Sequence, residues 1–261
     1  MSFTVAETIV LAREIARKSV VLRVRYAFNT AINAITIYAF FVLLVFIGRQ
    51  IAPQAITSSL SDIIVGFFVL LMATVAYSNI SWELLREARW GTLEQLYMSP
   101  LGFGRVVLLT TGVHVLVSFV YGVALLALML LTTDETLVID PLTVVPIGLL
   151  ALGSAVGIGF TLGGLALVFK RIENVLQITQ FTFIVFIATP VEGSSILKLL
   201  PLSLGSYLLR QSMTEGIPLW KLPVFDLGLL VVKSIAYVAV GYAVFQYAGH
   251  IARKRGKLGQ Y

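Results

Sequence analysis

The sequence predicts an all-α integral membrane protein, and its composition and the arrangement of its apolar residues support that class. Of 261 residues, 58% are hydrophobic and only 12% are charged. Soluble domains carry about 25% charged residues and about 45–50% apolar ones. The apolar residues also fall into long runs separated by short polar segments, and no linker interrupts them. We therefore expect a single transmembrane domain over residues 1–261.

Six runs approach or exceed the length needed to span a membrane, about 20 residues for a hydrocarbon core of about 30 Å. They are residues 27–47, 62–82, 106–131, 142–169, 174–191 and 226–249.

The fourth run is rich in glycine at small-xxx-small spacing. Gly153 and Gly157 form one such pair, and Gly159 and Gly163 form another. This spacing lets two helices approach closely in lipid. We interpret it as a packing surface, because a phosphate-binding loop would follow a soluble strand.

The distribution of basic residues predicts the orientation. With both termini in the cytoplasm, 14 of the 19 lysines and arginines, including four in the tail 250–261, lie in inner segments, four lie in outer segments, and Lys233 lies inside the sixth run. Cytoplasmic segments of membrane proteins carry such an excess. The charge of +6 therefore indicates topology and gives no reason to expect a nucleic-acid partner.

Two further segments are expected at the membrane interface. Residues 1–26 combine basic residues with an apolar helical stripe and contain no signal-peptide core, so they predict an amphipathic helix in the headgroup plane or on the protein surface. The outer connection 192–225 is too apolar for a water-facing loop and too interrupted to span. Residues 196–200 and 203–213 are its candidates for part-inserted pieces. Non-helical backbone at that depth must be buried in protein or line a cavity.

The polar segment 83–105 predicts a short helix between the second and third spans. Thr92 and Gln95 have capping-box spacing, Gly91 ends the preceding helix, and Pro100 ends the new one. Leu93, Leu96 and Tyr97 share one apolar face of about two turns, which is too short to be stable alone. Such a helix needs a partner surface, which could be another protein, the chain itself or lipid headgroups.

Polar residues inside the spans are candidates for a pathway lining or a subunit interface. They are Thr74, Tyr77, Ser78 and Ser81 in the second span and Gln177 and Gln180 in the fifth. Hydrogen bonding between helices, with no transport role, explains them equally well. Lys233 can snorkel toward the outer surface or act as a substrate counter-ion, and His114 fits a hydrogen-bonded packing residue better than a proton relay.

Nothing in the sequence indicates catalysis. The chain has no cysteine, no phosphate-binding loop and no zinc-protease or serine-hydrolase motif. We expect no enzymatic activity, no metal and no cofactor bound by this chain.

Residues 87–101, EARWGTLEQLYMSPL, resemble the signature between the second and third spans of type-2 ATP-binding-cassette (ABC) exporter permeases, closest to the drug- and antibiotic-export branch. That family often shows E-x-E-x-G-T-L-E-Q-L followed by Ser/Thr-Pro-Leu. Arg89 and Trp90 depart from the usual acidic-basic pair. The six spans, the N-terminal helix and the part-inserted outer segment also resemble the family's plan.

The resemblance implies a multi-pass subunit of the cell membrane that pairs with a second permease copy and with separate ATPase subunits, which bind ATP and Mg²⁺. It implies that the short helix is a coupling helix seated in the ATPase. The implied coupling residues are Glu87, Gly91, Thr92, Leu93, Glu94, Gln95, Leu96, Tyr97 and Pro100.

Two other classes remain open from the residues alone, a lipid-modifying membrane enzyme and a channel that needs no ATPase. The substrate, and whether the pair is a homodimer or a heterodimer, cannot be read from the sequence.

Overall fold

The computed structural model describes residues 27–90, 103–169 and 172–254, with side chains from Ile35 onward except at 79, 83 and 85–90. All regular structure in these ranges is helical. The α-helices are α1 (Ala27–Ile51), α2 (Pro53–Trp90), α3 (Phe103–Thr133), α4 (Pro141–Phe169), α5 (Glu173–Ala188), α6 (Ser203–Glu215) and α7 (Val224–Lys254), and 3-10 turns lie at Leu197–Leu199 and Leu219–Lys221.

Three predictions fall partly or wholly outside the described residues. They are the interfacial helix at 1–26, the short helix with its capping box between Gly91 and Pro100, and the last part of the basic tail.

Four helices are long and apolar enough to cross a membrane, as expected of a membrane protein. These are the Pro53–Trp82 part of α2, and all of α3, α4 and α7. The other two predicted spans correspond to shorter apolar helices, Ile35–Ile51 within α1 and all of α5. The 16 residues of α5 rise about 24 Å, which is less than a hydrocarbon core of about 30 Å.

The connection between the first two helices is much shorter than predicted. The predicted spans leave residues 48–61 between them, but α1 ends at Ile51 and α2 begins at Pro53, with Ala52 between them. The Ala52 amide still donates to the Gly48 carbonyl at 2.8 Å. Proline has no N–H to continue that ladder but is favourable at the first position of a new helix, which explains the break at this point.

The glycine pairs of α4 pack as predicted, and each pair has its own partner helix. Gly153 and Gly157 face α7, where a Cβ on either would overlap Ser234 or Tyr237. A Cβ on Gly159 would lie 3.0 Å from the Tyr77 Cα of α2. Gly163 also faces α2, through Leu84 and Ile80. Helix α4 therefore lies between α2 and α7, with backbone close to backbone on both sides.

Side-chain contacts show which helix ends meet. At one end of the bundle, Phe103 at the start of α3 stacks on Phe245 of α7 with ring centroids 5.3 Å apart. At the other end, Ser61 of α2 donates to Glu135, just after α3, at 2.8 Å. Helix α3 therefore runs antiparallel to both α2 and α7.

Candidate functional site

The segment between α5 and α7, residues 189–223, folds back into the bundle instead of crossing its end. The Leu202 amide donates to Ser154 Oγ at 3.0 Å. Ser154 lies about halfway along α4, about 20 Å from its first residue at 1.5 Å per residue. A Cβ on Gly205 would overlap Ala151. The turn before α6 therefore folds back into the bundle and reaches the middle of α4, and we call residues 194–215 the re-entrant segment; insertion of residues 196–200 and 203–213 into the membrane stays a prediction.

Lys233 of α7 holds this turn through its ammonium group. Its Nζ donates to the carbonyl oxygens of Lys198 at 2.8 Å and Leu200 at 2.5 Å. The intervening carbonyl, that of Leu199, accepts from Tyr237 Oη at 3.2 Å. Lys233 is buried, with 5% of its surface exposed. Three consecutive carbonyls at the end of the 3-10 turn thus receive donors from one face of α7, which offsets the cost of taking them partly out of water.

An ion pair lies beside this contact. Lys198 Nζ is 2.6 Å from Asp226 Oδ1 at the start of α7, and the aspartate is almost fully buried. Asp226 and Lys233 are seven residues apart and so lie on the same face of α7. Of the three charged groups Lys198, Asp226 and Lys233, the first two form the ion pair. The positive charge of Lys233 is not matched by either, and its ammonium group donates to backbone carbonyls instead.

The turn itself has a strained residue at its end. Leu202 has φ 63° and ψ −26°, a region that non-glycine residues rarely occupy. It is fully buried, and the Ser203 hydroxyl that follows contacts the carbonyls of Leu197 and Leu200, each at 2.8 Å. Serines of α4 and α6 and a lysine of α7 therefore hold a conformation that the local backbone disfavours.

Helix α6 also caps α5. Arg210 Nη2 donates to the Ile187 carbonyl at 2.8 Å, and Ser206 Oγ donates to the same oxygen at 3.2 Å. A cation near the last carbonyls of a helix is favourable because of the helix dipole. Burial lowers the pKa of Arg210 and the Asp62 carboxylate partly offsets that effect. The guanidinium therefore stabilises the buried end of the shortened helix α5.

On the same helix, the pKa of Tyr207 is raised, whereas that of Arg210 is lowered. Burial, and then the neighbouring Glu192, raise the pKa of its hydroxyl. The Tyr207 hydroxyl accepts a hydrogen bond from Gln211 Nε2 at 2.9 Å. It serves as a neutral hydrogen-bonding group on α6.

Two of the predicted lining residues make hydrogen bonds between helices. Tyr77 Oη donates to the Leu176 carbonyl of α5 at 2.8 Å, and its ring meets Phe183 edge-on with centroids 5.1 Å apart. Ser81 Oγ is 3.3 Å from the Gly159 carbonyl of α4. Both contacts join neighbouring helices, as expected if these residues stabilise helix packing and have no transport role.

The other predicted lining residues are less enclosed. Thr74 and Ser78 are half-buried on α2, Gln180 is half-buried on α5, and Gln177 is exposed. The face of α5 that packs inward carries Leu176, Phe183 and Ile187 instead. Within one chain the two polar stripes are not brought together, and a shared lining between them stays a prediction.

His114 is buried in α3 with 8% of its surface exposed, which agrees with a packing position. The coupling residues between Gly91 and Pro100, and the Glu87 side chain, lie outside the described residues.

Sequence reasoning singled out Lys233 but not the other residues that hold this turn. These are Ser154, Tyr237 and the ion pair of Lys198 with Asp226. The available signal was that all four are polar residues within or beside apolar runs, where a polar side chain needs a partner.

The side chains of this site hold the backbone of the turn in place by hydrogen bonds and one ion pair. The described ranges contain no group of three or more His, Asp or Glu side chains that could hold a metal ion. Comparison with protein-family models and with curated proteins finds no significant match to this chain.

Proposed function

We propose that this chain is the permease subunit of an ABC exporter of the cell membrane. In this proposal it has six spans with both termini in the cytoplasm, pairs with a second permease copy, and is driven by separate ATPase subunits. The short helix at 92–99 docks on the ATPase. Nucleotide binding and hydrolysis then belong to the ATPase, and this chain provides the path across the membrane.

The observation that carries the proposal is the sequence EARWGTLEQLYMSPL at residues 87–101 together with its position between two apolar helices. Helix α2 continues past its spanning part to Trp90, and α3 begins at Phe103. The similar segment in exporter permeases occupies the same connection. The excess of lysine and arginine on this side of the chain supports a cytoplasmic location for it.

The re-entrant segment supports the same class. A passive pore subunit has to change between closed and open packings, and a hydrogen-bonded turn folded into the bundle provides a discrete closed state.

The proposal is tested with the full chain co-expressed with the ATPase subunit encoded nearest to it. Replacing Leu93, Leu96 and Tyr97 together by serine removes the apolar face of the docking helix. We expect the ATPase to co-purify with the unmodified chain and to be lost from this variant, while insertion in the membrane is unchanged.

The matched control replaces the same three positions by Met, Met and Phe, which keeps the face apolar, and should retain the ATPase. Equal recovery of the ATPase with the serine variant would refute the coupling assignment. ATP hydrolysis by the purified chain alone would refute the division of labour between the subunits.

A further inference from the structure

We propose that Lys233 is a latch for the re-entrant segment. Its ammonium group keeps residues 194–215 inserted against α4 and α7, and this segment leaves the bundle as a unit when the bonds of Lys233 to the turn break. The latch belongs to the chain itself and acts whether or not an ATPase binds to it.

Apolar packing is a weak restraint on this segment. The inward face of α6 is apolar and buried, with Leu204, Leu208 and Met213 fully enclosed. Lipid chains are as apolar as these side chains, so their burial against other helices gives little net driving force in a membrane. The polar contacts of the turn therefore determine whether it stays inserted.

One side chain, that of Lys233, makes two of the polar contacts of the turn. Lys233 bonds two carbonyls of the turn, at positions 198 and 200, while Tyr237 bonds the one between. Hydrogen bonds to a charged donor are stronger than those between neutral groups. Lys233 is a charged donor with two hydrogen bonds to this turn, so its loss removes the largest contribution of any one side chain of α7 to holding the turn.

Both ends of the segment have points where the backbone can turn. Gly193 has φ +76° and no atom within 4 Å of a Cβ built on it. Gly216 has φ +70° and follows α6 directly. Glycine adopts both signs of φ at little cost, so these positions can absorb a change in chain direction. The strain at Leu202, with φ 63°, is relieved when the turn is released.

The test uses accessibility of a single thiol, since the chain has no cysteine of its own. Ser206→Cys places a nearly isosteric reporter on α6, where the native side chain is 1% exposed. The purified full chain in detergent is reacted with a water-soluble maleimide, and labelling after unfolding in SDS gives the total. When opening is fast relative to labelling, the rate follows the open fraction.

We expect Lys233→Met to raise the labelling rate of this reporter at least about tenfold, the effect on an equilibrium of losing a charged hydrogen bond. Lys221→Met removes a lysine from an exposed position in the same connection and should leave the rate within about twofold. In a Lys233→Ala background, propylammonium should slow labelling again, whereas propanol should not. An unchanged rate in Lys233→Met, or no difference between the two additives, would overturn the proposal.

A second reporter separates opening of the segment from general loss of structure. Ser81→Cys lies between α2 and α4, where the native side chain is 0% exposed and its hydroxyl contacts the Tyr77 and Gly159 carbonyls and not the turn. Its labelling should not change with Lys233→Met, and an equal rise at both reporters would overturn the proposal. If Lys233→Met does not fold, Tyr237→Phe decides: we expect a rise of about two- to tenfold at Ser206→Cys from the loss of one neutral hydrogen bond, and no rise refutes the latch.

Discussion

Replacement of Gly241 by alanine should destabilise the bundle strongly, although it adds only one methyl group. A Cβ at this position would lie 2.7 Å from the Gly157 carbonyl carbon and 2.8 Å from its Cα, and it would overlap the carbonyl oxygen. Carbon atoms in contact prefer about 3.5–4.0 Å. Because both contacts are with backbone, no side chain can rotate to relieve them, and α4 and α7 must separate by about 1 Å.

The size of the effect can be worked out against a matched control. Gly228→Ala makes the same change in the same helix, at a position where a new Cβ meets no atom within 4 Å. Both variants gain about 0.5–1 kcal/mol from the better helix propensity of alanine. Overpacking costs about 1–3 kcal/mol, and the upper end applies to a backbone contact. The two variants should therefore differ by about 3 kcal/mol, roughly a hundredfold in the unfolding equilibrium.

The assay is equilibrium unfolding of the purified chain in mixed micelles with increasing SDS, followed by circular dichroism. We expect Gly241→Ala to unfold at a lower SDS fraction than the parent, and Gly228→Ala at the same fraction or a slightly higher one. If the two alanine variants are equally stable, the close backbone contact between α4 and α7 does not form.

Two buried hydrogen bonds can be tested with the same assay. Tyr77→Phe leaves the Leu176 carbonyl without its side-chain donor and should cost about 1–2 kcal/mol, because a buried hydrogen bond is lost without a change in shape. Ser154→Ala leaves the Leu202 amide of the re-entrant turn unpaired and should cost about 1–3 kcal/mol.

The controls remove the same groups where they are exposed. Tyr247→Phe, at a position with 69% of its surface exposed, and Ser58→Ala, at an exposed position near the start of α2, should each change stability by less than about 0.5 kcal/mol. A loss for either control as large as for its buried counterpart would contradict the assignment of the effect to the buried bonds.

Much of the helical layout could be predicted because it depends on local patterns. Apolar runs located the long helices, and the spacing of Gly153, Gly157, Gly159 and Gly163 predicted the close packing of α4. The interruptions of the connection 192–225 predicted that it would not span. Each of these signals lies within one stretch of sequence, and periodicity or length alone decides it.

The features that were missed depend on residues far apart in sequence. Lys233 meets the carbonyls of residues 198 and 200, and backbone acceptors leave no trace in residue identity. On α5, Leu176 and Phe183 make the contact with α2 and Gln177 is exposed, so its role in a pathway lining or a subunit interface stays a prediction. The break at Ala52 was hidden because a proline one residue later starts a helix as readily as it ends one.

The contact between Gly157 and Gly241 limits how this chain can move. A slide of α7 by about one turn, 5.4 Å, would replace Gly241 at this contact by Tyr237 or Phe245, so α4 and α7 cannot shear past each other without separating. Any functional motion has to carry this pair as one rigid body. Relative motion of helices is then expected at contacts made by side chains that can rotate, such as the contact between Tyr77 of α2 and Phe183 of α5.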